Sequence, residues 1–256
     1  MPRTIDINCD LGEGYPYDAE LMKYISSANI ACGIHAGDQN TMRRTVELAI
    51  ENNVAIGAHP SYFDRENFGR TDQNISPDEI RNLVLGQVLG LYGICDDAGG
   101  QLHHVKPHGA LYNRSARDPE VAHAIADVVS KISGKPVLFG LSGSCSIKEA
   151  EAIGVRTASE VFADRTYQLD GTLTPRSQSE ALIENDDDAI SQALRFVNSE
   201  TVTTITGEVI TVKCDTICIH GDGEHAVSFA SKIHAALTEQ GLEIRAIDPH
   251  NYGQSR

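Results

Sequence analysis

The chain has 256 residues, 41% of them hydrophobic, with 36 Asp plus Glu against 21 Lys plus Arg and a formal charge of −15. That length suits one large α/β domain, or at most two small ones. The acidic balance argues against nucleic acid or an anionic membrane surface as a partner.

The N-terminus, MPRTIDINCDLGEG, turns polar within a few residues and has no apolar core of a signal peptide, and no apolar run approaches the roughly 20 residues of a spanning helix. The expected compartment is the cytoplasm. Cys9, Cys32, Cys95, Cys145, Cys214 and Cys218 form no CxxC pair, so reduced, buried thiols are expected. Strands are predicted at 5–8, 28–32, 54–59, 103–108, 137–143, 155–163 and 215–221. They are short and mostly without polar alternation, as parallel strands buried on both faces are. Helices are predicted between them. Asn40 can cap one over 40–53, with Met42, Val46, Ala49 and Ile50 as its stripe. Ser76-Pro77-Asp78-Glu79 carries a capping box with Pro at the first helical position, and Gly99-Gly100 closes that helix. Further helices are read at 118–131, 186–198 and 224–240. The stretch TVTTITGEVITVKC at 201–214 breaks the rhythm and reads as a hairpin turning near Thr206-Gly207. No long linker appears, so one domain over 1–256 is expected, with a loose polar tail, IDPHNYGQSR. A β-α unit repeated about seven times fits an open doubly wound sheet or a closed barrel. Neither GxGxxG after the first strand nor GxxxxGK[ST] occurs.

The strand ends carry the chemistry. Strand one runs into Asn8, Asp10 and Glu13, strand two into His35 and Asp38, and strand three into His59. Strand four runs into Lys106 and His108, strand six into Glu160, Asp164 and Arg165, and the last into His220, Asp222, Glu224 and His225. In a parallel barrel all these ends converge on one face. A single loop histidine is more often structural, and His123, His234 and His250 are read so. Ser142 in GLSGS lacks the closing Gly of a nucleophile elbow. As a set, Asp10, His59 and His108 suit a borderline divalent metal with open positions, or metal-free acid–base chemistry with Asp10 or Asp38 orienting an imidazole. Lys106 and Arg165 suit a carboxylate, a phosphate or an oxyanion. Spacing alone leaves these alternatives open.

The segments NCDLGEG, SSANIACGIHAGD, IGAHPSYFDRENFGR, HVKPHGALYN, SEVFADRTYQLDGTLTPRSQSEALIEN and IHGDGEHA closely resemble the LamB/YcsF family. The resemblance runs from about Ile5 to about Leu242, with Cys9 in place of a usual Ala and Glu180 in place of a usual Gly. It implies an irregular seven-stranded α/β barrel, TIM-like and of the glycoside hydrolase/deacetylase type. It implies ATP-dependent opening of 5-oxoproline to glutamate with separate 5-oxoprolinase subunits B and C, ATP being a co-substrate. The pattern of related deacetylases, one Asp and two His, falls on Asp10, His59 and His108 and implies a divalent metal such as Mg or Zn. The catalytic set expected is Asp10, His35, Asp38, His59, Lys106, His108 and Asp222. The substrate-binding set is Asn8, Glu13, Arg165, Arg176, His220 and His225. A small lactam is the expected ligand, and a homo-oligomer is compatible with the reading. The rival functions are an ATP-independent metal-dependent deacetylase or amidase, and a non-catalytic ligand-binding subunit.

Overall fold

The computed structural model describes residues 3–221, 223 and 225–248. Seven parallel strands close into a barrel: β1 (Arg3–Leu11), β2 (Ser27–Ala31), β3 (Ala55–His59), β4 (Leu102–Val105), β5 (Val137–Leu141), β6 (Thr157–Phe162) and, after an antiparallel hairpin β7 (Thr201–Thr203) and β8 (Val209–Thr211), β9 (Thr216–Ile219). Closure comes from β9 pairing with both β6 and β1, with Phe162 opposite Cys218 and Asn8 opposite the same Cys218. A short β10 (Leu242–Ile244) adds to the start of β1.

Helices α1 (Asp18–Leu21), α2 (Gln39–Glu51), α3 (Pro77–Asp97), α4 (Gly109–Arg117), α5 (Pro119–Lys131), α6 (Cys145–Ala152), α7 (Asp186–Ser199) and α8 (Ala226–Glu239) connect the strands. Their starts follow local chemistry. Ser76 and Glu79 form the capping box of α3, whose buried stripe includes Ile80, Val84, Val88 and Leu91. Asn185 caps α7 and three aspartates fill its first turn, where they complement the helix dipole. The cap of α2 is Asp38 rather than Asn40: its carboxylate accepts from the Thr41 amide at 2.8 Å. The helices α1, α4 and α6 and the strand β10 go beyond the sequence expectation. The expected loose tail lies almost wholly outside the described residues. No described helix is long and apolar enough to cross a membrane.

Strand β1 alternates although it is buried throughout its last seven residues. Ile5, Ile7, Cys9 and Leu11 belong to the apolar core, while Asp6, Asn8 and Asp10 find polar partners on the other face. The barrel interior is therefore a polar ladder. Asp6 accepts from Ser27 and Thr216, and Asn8 donates to Thr216. Asn29 donates to both Asn8 and Asp10, and His104 bonds the Asn29 oxygen at 2.8 Å. Gly57 makes room for that imidazole: a Cβ there would sit 2.0 Å from His104 Nε2. The β3–β4 register shifts at this point, which accounts for the irregular barrel.

Candidate active site

A cavity of about 350 Å³ opens at the C-terminal end of the barrel, lined among others by Asp10, Glu13, His59, Lys106, His108, Arg165, Arg176 and His220. A larger groove of about 520 Å³ against α3 is apolar and carries none of the strand-end histidines. The ionisable strand ends gather in the smaller one.

Its floor is an ion-paired column. Lys106 follows β4, and its ammonium lies 2.9 Å from Asp10 Oδ1, 2.8 Å from Glu160 Oε1, 3.1 Å from Asn8 Oδ1 and 3.1 Å from Cys218 Sγ. An ammonium has three donors, so this one is fully engaged. The Glu160 contact is an ion pair without the alignment of a hydrogen bond. Burial opposes charge at Lys106, yet Asp10, Cys218 and Glu160 outweigh it and hold the ammonium well above its usual range. Burial likewise pushes the Asp10 carboxyl up, but the neighbouring His59 ring and the Lys106 ammonium win and hold it well below the carboxylate range. Asp10 is thus a carboxylate whose Oδ1 is taken by Asn29 and Lys106, and whose Oδ2 faces His59 Nε2 at 3.3 Å. Burial and the nearby Glu160 carboxylate push the Tyr112 phenol well up.

Beside the column stands a cluster of imidazoles whose second nitrogens are already committed. His59 Nδ1 lies 2.7 Å from the Lys106 carbonyl, and His108 Nε2 lies 2.9 Å from the Phe68 carbonyl. Carbonyls only accept, so both nitrogens carry hydrogen. His35 Nδ1 meets Ser61 Oγ at 3.0 Å, and that hydroxyl donates onward to the Tyr62 carbonyl, so His35 Nδ1 donates too. The remaining nitrogens of the three rings converge. His59 Nε2 is 2.8 Å from His108 Nδ1, while Glu13 Oε1 is 3.0 Å from His35 Nε2 and 3.4 Å from His108 Nδ1. Burial, reinforced by His59, pushes His35 down to about 3, and burial with His59 and His35 keeps His108 well below its usual range. Lone pairs on the neutral His35 and His108 rings, aimed at the Glu13 carboxylate, cost roughly 1–3 kcal/mol per unmet acceptor unless a cation sits among them. Glu13, His35, His59 and His108 offer donor atoms all within 4.8 Å of one another. Three imidazoles and one carboxylate fit a zinc-like ion better than magnesium, which prefers oxygen. A second group, Asp10, Cys218 and His220, has similar spacing, but Lys106 already supplies its positive charge.

The sequence profile of the LamB/YcsF family matches residues 5–251. The chain belongs to this family. Among LamB/YcsF relatives, a Tolumonas auensis protein that bears the name of the 5-oxoprolinase A subunit is 50% identical, over 95% of this chain and 99% of its own. One of the same name from Bacillus subtilis is 50% identical over 95% and 96%. The lactam utilization protein of Thermus thermophilus superposes with a TM-score of 0.89 at 38% identity, covering 95% of this chain and all of its own. A polysaccharide deacetylase from Bacillus cereus, at TM-score 0.54 and 13% identity over 98% of this chain and 94% of its own, shares the fold alone.

Within this LamB/YcsF barrel, Asp10, Glu13, His35, His59, Lys106 and His108 come together as the strand-end reading expected. Five other expectations change. Asp38 is exposed and spends its carboxylate capping α2, whose amide and hydroxyl bonds at Thr41 hold it below the usual range. Asn8 is fully buried beneath the cavity and braces Lys106 instead of meeting substrate. Arg165 lines the wall but donates to the Ala181 and Thr174 carbonyls, which makes it a loop anchor. His225 stands exposed at the start of α8 and does not line the cavity. Asp222 lies outside the described residues. The deacetylase-like trio is only partly reproduced: His59 and His108 share the cation position with Glu13 and His35, while Asp10 flanks it. Arg70, Tyr112 and Phe162 join the lining without having been singled out. Tyr112 had one legible signal, its place in HVKPHGALYN one helical turn after His108.

Proposed function

We propose that this chain is the A subunit of an ATP-dependent 5-oxoprolinase, working with B and C subunits to open 5-oxoproline to L-glutamate. The observation that carries the reading is half identity along nearly the whole chain to relatives of that name. It is supported by an ionised, buried carboxylate at the base of a cavity sized for a small amide.

Amide resonance protects an unstrained five-membered lactam from water. Transfer of the γ-phosphoryl group of ATP to the lactam oxygen releases ADP and leaves the carbon electrophilic. Water then adds, the ring nitrogen takes a proton, and the C–N bond breaks to give γ-glutamyl phosphate. A second water releases phosphate and glutamate. In this reading the hydrolytic half takes place here. Asp10 accepts the proton of the attacking water through Oδ2, because Oδ1 is occupied and Lys106 keeps the group ionised. Asn8 and Asn29 hold that pair in place. Glu13, His35, His59 and His108 would hold a divalent cation, which when bound would supply Lewis-acid stabilisation of the negative charge that develops as water adds. Their carbonyl and hydroxyl partners fix the tautomers for that role.

The test is glutamate release from 5-oxoproline and ATP by purified partner subunits, with and without this chain. Release that requires the chain supports the reading. Release without it, or none beside partners shown competent with a known A subunit, sinks it.

A further inference from the structure

Strands β6 and β9 are neighbours, so the residues after them emerge side by side. Asp164 follows β6 by two positions and His220 follows β9 directly. His220 Nδ1 donates to Asp164 Oδ2 at 2.5 Å, and its ring lies over Phe162 at 5.9 Å and 26°. With Nδ1 protonated, His220 Nε2 can only accept, and Arg176 Nη2 donates to it at 3.0 Å. The loop that carries Arg176 is itself fastened: Arg165 grips the carbonyls of Thr174 and Ala181 on either side of it. A guanidinium has five N–H donors, and this one spends a single bond on His220 among the described residues. It lines the same cavity as Asp10, and a His220 ring nitrogen lies within 4.8 Å of an Asp10 carboxylate oxygen. The cavity therefore has an ion-paired column on its floor and a second cation, on an exposed side chain tied to His220, on its wall.

We propose that Arg176, presented by the Asp164–His220 pair, is the clamp for a substrate carboxylate, and that it makes the site select lactams bearing a carboxylate over neutral lactams. The inference rests on the lactam-opening reading above and adds the feature of the substrate that is recognised. A planar guanidinium held from one side keeps its other edge for a bidentate carboxylate contact. Lys106 is unsuited to that task because its donors are spent, and Arg165 because its own are turned to backbone carbonyls. Arg176 is thus a substrate-binding residue, while His220 and Asp164 are positioning residues.

The experiment uses the assembled enzyme with 5-oxoproline as substrate and 2-pyrrolidinone as the neutral probe, read as an inhibitor. Arg176→Ala should raise KM for 5-oxoproline roughly 10- to 100-fold, the range lost with one charge-assisted bond, and leave the 2-pyrrolidinone inhibition constant within about 3-fold. Added guanidinium should restore part of the lost affinity. Asp164→Asn and His220→Gln should move KM in the same direction with kcat nearly kept, a split that general misfolding does not produce. Equal weakening of both ligands, or an unchanged KM, overturns the clamp. If the wild-type assembly opens no 5-oxoproline, the functional reading fails instead. The clamp is then judged by calorimetry of 5-oxoproline with the purified chain. Binding lost in Arg176→Ala upholds it; equal or absent binding overturns it.

Discussion

Replacing Lys106 by methionine keeps the stem and removes the ammonium from between two buried carboxylates. The Lys106 side chain is 3% exposed, against 10% for Asp10 and 0% for Glu160. Breaking a buried pair by deleting one partner costs about 3–5 kcal/mol, and the shared role of Lys106 argues for the upper end. At roughly 2–4 °C per kcal/mol for a chain of this size, the melting temperature should fall by about 10–20 °C. The pH dependence gives the sharper sign. The folded Asp10 carboxyl is held well below its usual range, so its stabilising contribution is complete above the unfolded value of about 3.9 and is lost only as pH falls through the folded value. Without Lys106 one of the causes that oppose burial is gone, the folded Asp10 value rises, and the deficit of the variant should narrow as pH falls from 7.5 towards 5. Urea unfolding of both proteins at the two pH values measures the gap. A loss under about 1 kcal/mol, or a gap that does not narrow at pH 5, would refute the ion-pair reasoning.

Other consequences follow from single contacts. Wild-type chain should carry a stoichiometric zinc-like ion by elemental analysis and show a visible band with cobalt, and His35→Ala or Glu13→Gln should weaken retention at least 10-fold; equal metal content would remove the cluster from consideration. Gly57→Ala forces a Cβ against His104 and should destabilise by about 1–3 kcal/mol; Gly57→Ala combined with His104→Ala should recover part of that, and strict additivity would exclude the contact. Asp38→Ala should cost about 1 kcal/mol in unfolding experiments with turnover unchanged; a turnover loss would reinstate Asp38 in the site.

The strand ends were legible because short apolar runs ending in ionisable residues have one reading in a parallel barrel. The capping box at Ser76 and the Thr206-Gly207 hairpin were legible because they depend on local chemistry alone. Other features depended on register. Asn8, Asn29 and His104 sit inside the barrel, where strands buried on both faces hide their alternation. Asp38 ends a loop in the same way as a catalytic aspartate, and only the Thr41 contacts reveal a cap. Helix α4 starts directly after His108 without a side-chain cap, so GALYNRSAR carried no start signal. Glu13, three residues beyond Asp10, gave no hint that it would join three histidines from separate segments.

The central claim is that this cavity, through Asp10, carries the hydrolytic half of lactam opening. The most direct measurement is glutamate formation by the full assembly containing Asp10→Asn, with ATP present and assembly verified. The variant keeps the side-chain shape but replaces the ionised carboxylate by an amide that cannot accept a water proton as a base. The expected result is a fall of about 10²- to 10⁴-fold in glutamate formation, as lost general-base catalysis gives. Normal turnover in a correctly assembled Asp10→Asn enzyme would contradict the claim and place the chemistry elsewhere in the complex.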